Sequence, residues 1–181
     1  MFFKIRKGVV AVSRLLSDGR RQIVAVRMAG DCIGYLSEDG LYAFEGQALT
    51  DVEVCVFNRS QFDRLASDRT DLAAATSATL SSALKQAGQG MLMLGRLRSA
   101  ERVAYFLAEQ DALSRERFGD CPTLPLFMNR AEIADYLGLT IETVSRAIGK
   151  LKKKGLITLI DSGEVLMCDR EKLYAFGKYG R

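Results

Sequence analysis

Residues 129–155, NRAEIADYLGLTIETVSRAIGKLKKKG, read as two short helices joined by a tight turn, and this stretch constrains the fold more than any other. Asn129 followed three residues later by Glu132 is a capping-box pattern, in which each side chain bonds the other residue's backbone N–H. Ala131, Ile133, Ala134 and Leu137 supply the first helix's apolar face, and Gly138 ends it. Thr140 caps the second helix, where Val144, Ile148 and Leu151 fall at the spacing of one buried stripe. The opposite face carries Glu142, Ser145, Arg146, Lys150 and Lys153, and Gly155 closes the element. Two short helices, the second bearing an outward row of hydrogen-bonding groups, suit the major groove of double-stranded DNA.

The sharpest part of that row is Glu142, Ser145 and Arg146, which project from one side of the helix because they stand at i, i+3 and i+4. Arginine can donate two hydrogen bonds to guanine, glutamate can accept one from cytosine, and serine can do either at a third base. A carboxylate would repel a helix's partner if that partner were phosphate alone, so its presence points to base reading. The plainer reading is an ordinary Glu–Arg pair on a solvated helix, worth a few tenths of a kcal/mol. Arg130, Thr140, Thr143 and Lys150 lie near the starts or flanks of the two helices, where they would anchor phosphates and fix the register. Thr140 is equally a helix cap, and the two roles are compatible. Net charge is only +4, but five basic side chains stand against one acidic between Ile141 and Lys154. The Lys152–Lys154 run, taken alone, reads as well as a solvated surface.

The rest of the chain sets this pair in an α+β protein. Up to about Phe62 the pattern is β: Lys4 to Leu16, Arg21 to Met28 after the Asp18-Gly19 turn, Ala43 to Leu49, and Val52 to Phe57. Short strands so spaced predict an antiparallel barrel or sandwich over residues 1–70. From Asp71 to Leu97 the period changes. Ala73, Ser77, Leu80, Leu84, Ala87, Met91 and Leu94 recur at heptad spacing, as in the seam of a two-helix homodimer. A helix packed on its own domain gives the same stripe. Gly88 and Gly90 each cost about 1 kcal/mol of helix stability, so such a seam would be marginal. A dimerisation helix over 71–98 is expected to lead into a third part, 99–181. There Ser99 is expected to cap a helix to about Leu113, Thr123 to Met128 reads as a strand, and Leu156–Ile160 and Val165–Cys168 flank an Asp161-Ser162-Gly163 turn. That hairpin makes the helix pair a winged helix-turn-helix, with Asp169 capping a last helix to Phe176.

Several functions are excluded by composition. Histidine is absent, which removes His-based triads and His-ligated zinc. The four cysteines, at 32, 55, 121 and 168, form no C-x-x-C pair, so no metal site and no cofactor is expected, and buried free thiols are the default. No apolar run reaches the length of a membrane span, and the start MFFKIRKG lacks a secretory h-region; a cytoplasmic protein without a membrane partner is expected. An enzyme would have only an isolated Cys nucleophile with no base to activate it. A winged helix used for protein contact is the other rival, although a docking face favours exposed aromatics over a polar row.

The order of a short-strand barrel, a seam helix and a winged helix-turn-helix resembles the CRP/FNR family of bacterial transcription regulators. The stretch IADYLGLTIETVSRAIGKLKKKGLI, with its E-x-x-S-R core, looks like the FNR/FixK branch, as do RLLSDGRRQIV and GDCIG in the barrel. The resemblance implies a partial jelly roll for residues 1–70 and a homodimer on a two-fold symmetric site, with Glu142, Ser145 and Arg146 reading an inverted TTGAT-type half-site. It also implies activation through RNA polymerase, at genes for low oxygen or nitrogen fixation. Cyclic-nucleotide-binding relatives carry a Glu and an Arg where Tyr35 and Tyr42 stand here, which removes the cation for a phosphodiester, so cyclic nucleotide binding is not expected. Tyr35, Tyr42 and Phe44 would line another ligand pocket or, more commonly, pack in the core. Relatives also have a longer segment before the strand matching Phe2–Val12, and its lack would leave the barrel open. The N-terminal cysteine group that holds an iron–sulfur cluster in FNR has no match, so no such cluster is expected. Cys168, at the end of the wing, is a redox candidate whose oxidation would add charge, against the plainer reading of an inert strand cysteine.

Overall fold

The stretch Lys4–Leu16 does not run as one strand. The chain turns at Gly8 and divides into β1 (Phe2–Lys7) and β2 (Val9–Leu15), which go to different sheets. The computed structural model describes residues 1–34, 41–160 and 163–179, and its packing falls into two units, Met1–Gly90 and Met91–Arg181. Tyr35 and the Asp161-Ser162 part of the wing turn lie outside the described residues.

In the first unit, β1 and β2 are followed by β3 (Arg21–Met28), β4 (Cys32–Ile33), β5 (Glu45–Ala48) and β6 (Glu53–Phe57). They form two antiparallel sheets of three, β4-β1-β6 and β3-β2-β5. Ile5, Val9, Val10, Ala11, Ile23 and Met28 are buried, and this apolar burial stabilises the unit. Tyr42 and Phe44 do not join that core. They are 48% and 45% exposed. The segment from Leu41 to Ala48 is exposed throughout, and the Tyr42 hydroxyl donates to the Met1 carbonyl at 3.2 Å. The β pattern also stops earlier than its composition suggests. Asn58 accepts from the Gln61 N–H at 3.3 Å and starts helix α1 (Arg59–Asp68), which takes in Phe62. Helix α2 then runs from Thr70 to Arg96, and the division between the units falls inside it.

The second unit continues from α2 into α3 (Ser99–Phe118), β7 (Thr123–Pro125), α4 (Arg130–Leu137), α5 (Ile141–Lys153), β8 (Ile157–Leu159), β9 (Glu164–Met167) and α6 (Arg170–Tyr179). Ser99 lies inside α3. Its N-cap is Arg98, whose N–H is taken by the Glu101 carboxylate at 2.8 Å, and the helix runs on past Leu113 to Gly119. The strands form one antiparallel sheet, β7-β9-β8, in which β8 and β9 make the wing. Helix α6 packs directly on the α3 backbone. A Cβ at Gly177 would stand 2.6 Å from the Tyr105 nitrogen and 2.8 Å from its Cα, so only glycine permits the approach. At the start of α6, Arg170 forms a two-pronged pair with the buried Asp111 of α3, at 2.8 and 3.2 Å, and also donates to the Cys121 carbonyl.

Candidate nucleic-acid interface

Both helices of the pair begin where their caps place them. The Asn129 side-chain oxygen accepts from the N–H groups of Ala131 and Glu132 at 2.9 and 3.0 Å, and Glu132 returns the bond to the Asn129 N–H at 2.9 Å. Gly138, in the left-handed region at φ 61° and ψ 44°, turns the chain out of α4 and donates to the Ala134 carbonyl. The Thr140 hydroxyl accepts from the Thr143 N–H at 3.2 Å and opens α5. On α5, Val144, Ala147, Ile148 and Leu151 are buried. That burial fixes the helix's rotation, because turning it would expose a stripe in which each side chain is worth about 1.5–3 kcal/mol.

With the rotation fixed, Glu142, Ser145 and Arg146 all stand exposed on the outer face. The Glu142 carboxyl is held below the usual carboxylate range by its own backbone N–H and by the Thr140 hydroxyl, with a smaller contribution from Arg146. Thr140 is exposed and Thr143 half-buried, their hydroxyls 3.0 Å apart at the helix start. The other two phosphate candidates are placed differently. Arg130 is half-buried at the first position of α4; one of its terminal nitrogens is enclosed with no hydrogen-bond partner among the described residues, and burial lowers its pKa. Lys150 is exposed, but its ammonium lies 5.9 Å from the ring centre of Phe176 on α6, where Lys154 also sits, at 5.3 Å. Cys168 is at the base of the wing rather than its tip: its N–H bonds the Leu156 carbonyl at 3.1 Å, and its sulfur lies 3.5 Å from the Thr158 hydroxyl.

The α2 stripe is uncovered in the single chain. Leu80, Leu84 and Met91 are 52%, 73% and 69% exposed, and Ala87 is exposed beside them. Leu94 is half-buried within the second unit, where its side chain approaches Gly138. That end of α2 is tied to the helix pair by Arg102, a residue with no signal in the motif. Its guanidinium donates to the carbonyls of Leu94, Leu97 and Leu137 at 2.7, 2.9 and 3.0 Å, so one cation closes the C-terminal ends of α2 and α4 together. Arg170 and Asp111 are likewise invisible locally, since they are 59 residues apart. Among the described residues no cluster of three or more Cys, Asp or Glu could hold a metal ion, and no helix is long and apolar enough to cross a membrane.

A capped helix pair with an outward polar row and a two-stranded wing, in a chain that also carries a unit of two β-sheets, has the architecture of a winged helix-turn-helix protein. A model of the Crp-like helix-turn-helix domain matches residues 101–176, and one of the cyclic nucleotide-binding domain matches residues 1–69. The chain is 40% identical over 170 residues to the nitrogen fixation regulation protein FixK of Bradyrhizobium diazoefficiens, covering 92% of this chain and 70% of that protein. It is 33% identical over 170 residues to the transcriptional activator protein FnrL of Cereibacter sphaeroides, covering 92% and 68%. Among solved structures, FixK2 from Bradyrhizobium japonicum superposes with a TM-score of 0.84 at 34% identity, covering 96% of this chain and 85% of that one. The chain belongs to the CRP/FNR family, which consists of transcription regulators and not enzymes.

Proposed function

We propose that the chain acts as a homodimeric transcription activator that reads an inverted repeat with TTGAT-like halves through Glu142, Ser145 and Arg146. The observation that carries this reading is the rotation of α5. Burial of Val144, Ala147, Ile148 and Leu151 leaves the carboxylate, the hydroxyl and the guanidinium in one exposed row. Thr140, Thr143 and Arg130 supply phosphate contacts at the helix starts, Arg130 through the part of its guanidinium that is not enclosed. Lys150 joins them only by leaving the Phe176 ring.

The dimer forms along α2. Leu80, Leu84, Ala87 and Met91 supply the seam, and Leu94 closes it next to the helix pair. Activation proceeds through contact with RNA polymerase, inside the cytoplasm. The relatives' names, nitrogen fixation regulation protein and transcriptional activator, favour genes for nitrogen fixation or low-oxygen metabolism as targets. Cyclic nucleotides are not the signal, because Tyr42 offers a hydroxyl, already engaged with the Met1 carbonyl, where the family's cyclic-nucleotide binders place a cation. Selection of bound duplexes from a random DNA pool tests the whole reading. A two-fold symmetric consensus is expected; recovery of unrelated sequences, or of a single asymmetric half, would overturn it.

A further inference from the structure

Two cysteines flank the same end of the β7–β9 ladder, Cys121 before β7 and Cys168 after β9. In the β7–β9 ladder Thr123 faces Leu166, Leu124 faces Val165 and Pro125 faces Glu164. The Met167 N–H donates to the Pro122 carbonyl at 3.1 Å, so the pairing reaches Pro122 and Met167, and Cys121 and Cys168 flank that pair just beyond the strand ends. Bonded and non-bonded pairs alternate along an antiparallel ladder. Pro122 and Met167 occupy a bonded place, so a ladder continued by one residue would set the cysteines at a non-bonded one, where Cα atoms come within about 4.5 Å and side chains share a face. A disulfide spans Cα separations of roughly 4.4–6.8 Å.

Both backbones are held there from outside the pair: the Cys168 N–H by the Leu156 carbonyl, and the Cys121 carbonyl by the Arg170 guanidinium. Both thiols are exposed and free. Each sulfur lies beside a threonine hydroxyl, Cys121 beside Thr123 and Cys168 beside Thr158, both at 3.5 Å. The Thr123 hydroxyl and N–H hold the Cys121 thiol below its ordinary value, which favours the thiolate. The other two cysteines have no such arrangement. Cys32 and Cys55 both face Lys4 from opposite sides, a whole strand apart.

We infer that Cys121 and Cys168 form a reversible disulfide across the base of the wing when the protein meets a peroxide. The Cys121 thiolate attacks one oxygen of hydrogen peroxide; the S–O bond forms as the O–O bond breaks, and the departing hydroxide takes up the proton that the thiol had released to solvent and leaves as water. The Cys168 thiol then attacks the sulfenic sulfur, the S–S bond forms, the S–O bond breaks and a second water leaves. Two thiols have given two electrons to one peroxide. The bond ties β7 to the end of β9 and keeps Cys168 from oxidation beyond recovery.

The test uses the full chain carrying Cys32→Ser and Cys55→Ser, treated with hydrogen peroxide, alkylated, and mapped by peptide mass. The expected result is joint loss of both alkylation sites, a cross-linked 121–168 peptide within one chain, and full recovery with dithiothreitol. Adding Cys121→Ser is expected to send Cys168 to sulfinic or sulfonic acid, with the urea midpoint of the reduced protein unchanged. Oxygen added to Cys168 while Cys121 stays alkylatable, or a cross-link between two chains, would overturn the inference.

Discussion

Glu142 is the side chain whose charge argues hardest for base reading, because a carboxylate on a helix that met phosphate alone would weaken binding. Glu142→Gln is expected to relax the base preference at one position of each half-site and to strengthen binding to unrelated duplexes, as measured by competition titration. Its pKa lies below the ordinary carboxylate value, so the charge persists as pH falls; the preference it carries is expected to fade only on acidification below the usual glutamate range. Arg102 acts at the same scale but on stability. Replacing it with methionine keeps the stem and leaves the carbonyls of Leu94, Leu97 and Leu137 without their cation. Urea unfolding is expected to show a loss of about 2–3 kcal/mol. Glu142 was legible because helix period and a local cap set its direction. Arg102 was not, because its partners come from two separate places in the chain, Leu94 and Leu97 at the end of α2 and Leu137 at the end of α4, which no local spacing connects.

At the scale of elements, the helix pair was legible to within a residue, since a capping box, a left-handed glycine and a 4, 3 stripe all act within one or two turns. The same logic failed where two elements met. The break at Gly8 falls inside a run that reads as β on both sides, and the helix after Asn58 replaces an expected end of the barrel. Ser99, an intrinsically good cap, lost its place to Arg98, whose N–H is accepted by the Glu101 carboxylate. Tyr42 and Phe44 were expected in the core and are exposed, since burial depends on which strands cover a face and composition does not say which. The packing of α6 on α3 gives this scale its own test. Gly177→Ala pushes a methyl carbon into the Tyr105 backbone and is expected to cost about 1–3 kcal/mol, read as a lower unfolding midpoint with little change in the denaturant slope.

For the whole molecule, the two units are joined through one continuous helix whose apolar stripe lies open. If that stripe is the seam, Leu84→Glu places a carboxylate at its most exposed leucine and faces it with its own symmetric copy. Sedimentation is expected to show monomer at concentrations where the unaltered protein is dimeric, with the same helical content; an unchanged dimer would move the interface elsewhere. Binding to a symmetric duplex should weaken in step, because each half-site then binds alone. The most direct measurement compares the unaltered protein with Arg146→Ala on the selected duplex and on a shuffled one at a single salt concentration. A loss of about 1–3 kcal/mol confined to the selected duplex is expected of a guanidinium that reads a base. Equal losses on both duplexes would show that Arg146 touches only backbone and would contradict base reading by the α5 row.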